Sequence, residues 1–178
     1  FDIETNKFGV HQTEVPGLVM FNNKTDGILI YPCGKSKVGI DMYNAEGIPT
    51  FYIYDYNTTT GKFTFLKEVS REDETMCLGK SSGLVQHTAT SFVYAVYRSN
   101  KLKYLNLLEP SIMNLPNIPL EVQGDILLGS FKNNQILINP FNTINAIMYD
   151  INRMEYTSDF KFVKEYLDAD TAYAFKLV

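Results

Sequence analysis

The chain has 178 residues, enough for one well-filled domain, and its 45% hydrophobic and 20% charged content is that of a folded globular protein rather than a disordered one. A net charge of −4, an isoelectric point near 5.2 and no basic run denser than Lys35 to Lys37 argue against nucleic acid as a partner. No stretch approaches the roughly 18 apolar residues of a membrane-spanning helix, and twelve Tyr and twelve Phe with no Trp lean the composition toward strands.

In chain order, Phe1 to Val15 reads as a hairpin cut off at its start, ended by Pro16-Gly17. Leu18 to Asn22 and Ile28 to Tyr31 flank a turn carrying the Asp26-Gly27 pair, and Pro32-Cys33-Gly34 breaks the chain. Val38, Ile40 and Met42 alternate, which predicts a strand over Lys37 to Tyr43, with a loop over Asn44 to Pro49. Phe51 to Val69 is the strongest hairpin signal. Phe51, Ile53 and Asp55 alternate with Tyr52, Tyr54 and Tyr56, Gly61 can take φ > 0 in the polar turn, and Phe63 and Phe65 continue with period 2. Ser70-Arg-Glu-Asp-Glu has the look of a capped helix start with an acidic first turn, limited by Gly79 and Gly83 to a couple of turns. Leu84 to Tyr97 and Lys101 to Leu108 predict strands around Arg98-Ser99-Asn100. Glu109 to Pro119 reads as an irregular connector with a brief pairing at Glu121 to Val122. Asp125 to Phe131 and Gln135 to Asn139 form a fourth hairpin. Asn145 to Ile151 and Met154 to Val163 form another, and after one helical turn over Glu165 to Asp170 the chain ends in a strand over Thr171 to Val178. About a dozen short strands at close spacing make this a single all-β, antiparallel domain over residues 1–178.

One layout recurs. Phe1-Asp-Ile-Glu-Thr-Asn-Lys-Phe, Tyr54-Asp-Tyr-Asn-Thr-Thr-Thr-Gly-Lys-Phe and Tyr149-Asp-Ile-Asn-Arg-Met-Glu-Tyr share an apolar residue, an Asp, a turn and a second apolar residue, and Tyr97-Arg-Ser-Asn-Lys-Leu-Lys-Tyr repeats it without the Asp. Their starts lie roughly 40 to 55 residues apart, the period of propeller blades. On these residues the chain resembles the outer strand pairs of β-propeller repeat proteins over about a third of its length. The resemblance implies about four blades, or part of a larger propeller whose remaining edges other segments or other chains would cover. It departs from that family in lacking a Trp-Asp dipeptide, a kelch-type Gly-Gly pair and a Ser-x-Asp-x-Gly-x-x-Trp box. An Asp before a turn followed by an aromatic also suits any hairpin, so a β-sandwich or barrel is the alternative architecture.

Motifs for chemistry are few. Gly34-Lys35-Ser36 and Gly79-Lys80-Ser81 look like the end of a phosphate-binding loop, but the Gly that must stand five residues earlier is Leu29 or Glu74, and the long helix that should follow is missing. His11, Asp41 (or Asp26) and Ser82 before Gly83 follow the His, Asp, Ser order of serine proteases on a β scaffold, although two residues separate Ser82 from the preceding Gly where one is expected. His87 in a strand and Cys77 make another nucleophile pair, and two His with no clustered Cys leave no zinc pattern. Glu72, Asp73 and Glu74 could ligate calcium, as could Asp168 with Asp170, or simply form solvated loops. Cys33 and Cys77 are either a disulfide closing a 44-residue separation or two buried thiols. Asn23-Lys-Thr25 and Asn57-Thr-Thr59 are glycosylation sequons. No signal peptide is present. The chain opens at Phe1 without Met, which fits a processed, cleaved or trimmed start whose removed leader would leave no trace, and the missing Met with the Asn-rich loops slightly favours a secreted, viral or cell-surface protein.

Tyr52, Tyr54, Tyr56, Tyr94 and Tyr97 put aromatics on both strand faces. One face would be core, and the other could stack on a sugar or a protein, unless both faces are covered. The function expected is therefore that of a non-enzymatic binding or structural module without a cofactor, presenting loops or an aromatic sheet face to a protein or glycan partner, with oligomerisation open. The alternative is a hydrolase, protease-like or glycan-directed, on the same scaffold.

Overall fold

The computed structural model describes residue 15 and residues 28–80, 83–130, 134–141 and 145–161. They form twelve strands: β1 (Leu29–Pro32), β2 (Lys37–Tyr43), β3 (Pro49–Asn57), β4 (Lys62–Ser70), β5 (Val85–Thr88), β6 (Ser91–Ala95), β7 (Leu102–Asn106), β8 (Ser111–Asn114), β9 (Ile126–Ser130), β10 (Gln135–Pro140), β11 (Asn145–Asp150) and β12 (Glu155–Lys161). Each consecutive quartet is one antiparallel meander: sheet 1 is β1-β2-β3-β4, sheet 2 is β5-β6-β7-β8 and sheet 3 is β9-β10-β11-β12. The chain is all-β and antiparallel as expected, and none of the three sheets closes into a barrel among the described residues.

The sheets pack face on face, and the period-2 alternation decides which residue goes where. On β3, Phe51 and Ile53 join Phe92 and Tyr94 of β6 in a core shared by sheets 1 and 2, while Tyr52 and Tyr54 turn to the opposite face with Ile40 and Met42. On β6, Val93 and Ala95 face the other way and share a second core with Ile126, Ile136, Ile138, Ile147 and Tyr149 of sheet 3. Sheet 2 is thus covered on both faces, which is why all five residues of β6 are buried. The fourth strands differ. Most of β4 and β8 alternates between half-buried and exposed, at the unpaired edge of each sheet.

The β3–β4 and β11–β12 hairpins carry the recurring layout, and both have a bulge at its Tyr. Ile53 pairs Lys67 and Tyr54 pairs Phe65, so Leu66 is the extra residue. Met148 pairs Ser158 and Tyr149 pairs Tyr156, so Thr157 is the extra one. Tyr54 meets Phe65 edge-on at 5.7 Å, and Tyr149 meets Tyr156 at 5.0 Å. Such bulges add twist, which with Lys62 and Lys67 makes β4 a poor template for a further strand. The third copy is out of phase. Tyr97 lies in the turn between the second and third strands of sheet 2, not between the third and fourth.

Several expectations are corrected. No helix starts at Ser70. The strand β4 runs through Ser70, and beyond it the chain makes one turn (Glu74 N–H to Arg71 O, 2.9 Å) and a short 3-10 turn at Leu78–Lys80. The reason is that Arg71 and Glu74 point inward and pair with each other instead of lining a solvated helix face. Leu84 to Tyr97 is two strands, because Ala89 and Thr90 form a tight turn with the Thr88 and Ser91 hydroxyls 2.6 Å apart. The irregular connector contains β8, which pairs with β7 from Asn106–Ser111 to Lys103–Asn114. Glu121 and Val122 lie in no strand. The opening hairpin, the first strand of the next one and the final helical turn and strand lie outside the described residues.

Candidate functional site

The feature that hydrophobic patterning does not explain is a cluster of charges buried between sheets 1 and 2. Asp41 stands on β2 on the face of Gly39 and Phe51, toward sheet 2. Arg71, Asp73 and Glu74 follow β4, and Lys103 projects from β7 on the face of Leu105. The side chains of Asp41 and Arg71 are fully buried, and those of Glu74 and Lys103 nearly so. Arg71 Nη2 pairs with Asp41 Oδ1, and Arg71 Nη1 donates to Glu74 Oε2 at 2.7 Å. The second Asp41 oxygen accepts from the Leu78 N–H at 2.6 Å. Glu74 Oε1 accepts from the Tyr94 hydroxyl at 2.9 Å and from Lys103 Nζ at 3.0 Å. Lys103 also donates to both oxygens of Asp73, at 2.8 and 3.0 Å. The Arg71 guanidinium lies 4.4 Å from the Phe51 ring centroid and 5.7 Å from that of Tyr94, so its apolar faces are covered by aromatics from both sheets. Arg71 Nε and the Tyr31 hydroxyl are buried without a hydrogen-bond partner among the described residues.

The charge states follow from these contacts. Burial raises the Asp41 carboxyl to about 6, against the opposing pull of Arg71 and the Leu78 N–H, and Glu74 adds to the rise. Burial alone would lower Arg71 and Lys103, but their carboxylate partners outweigh it and hold both charged. The Lys103 hydrogen bond keeps Asp73 below the usual carboxylate range. Burial, with Glu74 beside it, lifts the Tyr94 hydroxyl far out of its ordinary range. Because Asp41 holds its proton more tightly folded than unfolded, its contribution to stability is fully present below about pH 4 and lost as pH rises through about 6. Urea unfolding between pH 4 and pH 7 will show this as a falling component, on the order of 2 to 3 kcal/mol in all, that Asp41→Asn removes.

The residues singled out from the sequence are distributed as follows. Asp41 is in the cluster with both oxygens engaged, while His11, Ser82 and Asn23 lie outside the described residues. His87 Nδ1 is 2.9 Å from the Tyr104 hydroxyl. Of the acidic run, Glu74 and Asp73 are spent on Arg71 and Lys103, and Glu72 is exposed. Tyr52, Tyr54 and Tyr94 are buried, which corrects their assignment to a stacking surface. Tyr56 and Tyr97 are half-buried, Tyr56 against Phe63 and Tyr97 against the Arg98 guanidinium. Asn57 is exposed at the end of β3, its side-chain oxygen accepting from the Thr59 and Thr60 N–H groups at 3.0 Å each. Among the described residues no group of three or more His, Cys, Asp or Glu is placed to hold a metal ion, and no helix is long and apolar enough to cross a membrane.

The two cysteines correct the disulfide reading: Cys33 and Cys77 are free, buried thiols. Burial pushes Cys33 to about 11, with Lys37 and Lys67 opposing the rise, and Cys77 to about 12, with Asp41 adding to it. Neither thiol will therefore react with a thiol reagent over minutes at neutral pH in the native protein, and both will react once it is unfolded in urea. No local sequence pattern links Arg71, Glu74 and Lys103, which lie in a polar stretch and on a strand separated by 29 to 32 residues.

No protein-family model matches the chain, and no curated protein matches it.

Proposed function

We propose that the chain is a non-enzymatic binding or structural module, built of blade-like sheets of the β-propeller kind, that offers an aromatic sheet edge and its turn to a protein or glycan partner. The observation that carries the reading is the succession of three four-stranded meanders in chain order, stacked face on face with the fourth strand at an exposed edge. In such a stack the interior is used up by packing, and the edges and turns are what remain for contact. On sheet 1 that edge carries Tyr56 and Phe63, half-buried with ring centroids 4.8 Å apart, and Phe65, 43% exposed, beside the Asn57–Gly61 turn. Rigid aromatic area next to polar turn atoms suits stacking on a sugar ring or a protein side chain.

The test presents the folded chain to a panel of immobilised glycans and, in parallel, cross-links it in extract of its own source, with Tyr56→Ala and Phe65→Ala compared throughout. Binding weakened about tenfold by either substitution, at unchanged unfolding midpoint, is the expected result. Turnover of peptide or glycoside substrates by the purified chain would overturn it, as would partners that neither substitution affects.

A further inference from the structure

We propose that the buried charged cluster is a neighbour lock: it allows sheet 1 to pack on sheet 2 of its own chain and penalises every other pairing of these sheets. The three sheets have the same build, and each offers an apolar face. Hydrophobic burial is non-directional, so apolar faces alone distinguish poorly between one four-stranded meander and another, or between a sheet and the same sheet in a second copy. The junction of sheets 2 and 3 shows this generic character, with a core of Val, Ile, Leu, Ala and one Tyr.

The junction of sheets 1 and 2 differs. Glu74 is its hub, giving one oxygen to Arg71 and the other to Tyr94 of β6 and Lys103 of β7. Asp41 of β2 holds the far side of Arg71, and the guanidinium is sandwiched by Phe51 of sheet 1 and Tyr94 of sheet 2. The groups thus come from two sheets and their connector, and only this neighbour and this register bring them together. If sheet 1 packed on the face of sheet 2 that now meets sheet 3, Arg71 and Glu74 would be buried against Val93 and Ala95, and Lys103 would lose its carboxylates. A charge buried without its partner is costly, so the wrong assembly is penalised even where its apolar contact is as large. An apolar replacement of such a cluster need not weaken the fold, and what it removes is the discrimination.

The test uses the full chain with Asp41→Leu, Arg71→Met, Glu74→Met and Lys103→Met combined, and a milder variant with Glu74→Gln and Lys103→Met. Each is refolded from urea, checked for native strand content, and its stoichiometries are resolved by native mass spectrometry beside the unaltered chain. The expected result is a folded variant that spreads over several stoichiometries, with about tenfold more material outside the one the unaltered chain adopts. A folded variant with the same single stoichiometry as the unaltered chain overturns the proposal. The milder variant decides the matter by the same readout if the fourfold one does not fold, since it keeps the Arg71–Asp41 pair and removes only the charges that reach across to sheet 2.

Discussion

Arg71→Met will cost about 3 to 5 kcal/mol of folding stability, the largest effect expected of any single side chain here, because it strips the cation from two buried carboxylates. Asp41 and Glu74 both pair with this one guanidinium, and all three side chains are at most 2% exposed, so no water replaces the lost partner. The methionine fills much of the same volume and keeps an apolar contact with Phe51, which isolates the charge from the packing. Arg71→Lys will not restore the protein. An ammonium is one point of charge, whereas Arg71 uses two separate nitrogens for two carboxylates and lays its flat face on a ring. Chemical denaturation at pH 7 should place Lys between the unaltered chain and Met. Adding Asp41→Asn to Arg71→Met should recover part of the loss, since the second change removes one of the stranded charges. Equal midpoints for the single and double variants would show that the carboxylates do not depend on Arg71.

The sequence made the strands legible and left their partners obscure, for a physical reason. Period-2 alternation is a local signal, so β2 is read with its observed bounds and the β3–β4, β6–β7 and β9–β10 hairpins in essentially the right places. Where a turn is only two residues long and lacks Gly or Pro, as at Ala89-Thr90, the alternation runs through it and two strands read as one. Where a fourth strand is short and half-exposed, as in β8, its residues resemble a connector. The misreadings around the site have a different origin. Ser70-Arg-Glu-Asp-Glu has helix-cap chemistry, and that local preference is overridden by contacts made over some 30 residues, from Arg71 to Asp41 and from Glu74 to Lys103. On β3 the period-2 pattern puts Phe51 and Ile53 on one face and Tyr52 and Tyr54 on the other, as the structure does, yet a strand buried on both sides shows the same alternation as one with a wet face, and only what packs on the far face decides which it is.

Gly39→Ala will be the most damaging of the small substitutions, at about 3 kcal/mol, although it adds a single methyl group to a strand. Gly39 on β2 faces Tyr31 on β1 directly across the ladder, and the far end of the tyrosine ring occupies the space a side chain on Gly39 would take. A Cβ there would stand 2.2 Å from Cε2, 2.3 Å from Cζ and 2.7 Å from the hydroxyl oxygen of Tyr31, distances no contact tolerates. The ring has nowhere to go. Phe92 meets it at 5.1 Å and Phe51 at 6.3 Å, both edge-on, and it is only 7% exposed. Its displacement would also disturb Phe51, which supports the Arg71 guanidinium, so strain at one cross-strand pair reaches the charged junction. The strand preference that Ala should gain over Gly is a fraction of this and of opposite sign. A double-mutant cycle separates the two contributions. Tyr31→Ala alone loses a buried aromatic, but in that background Gly39→Ala should be close to neutral, giving a coupling of about 2 to 3 kcal/mol between the two positions. If Gly39→Ala costs the same with and without the Tyr31 ring, the glycine is required for backbone reasons and the cross-strand packing is not what selects it.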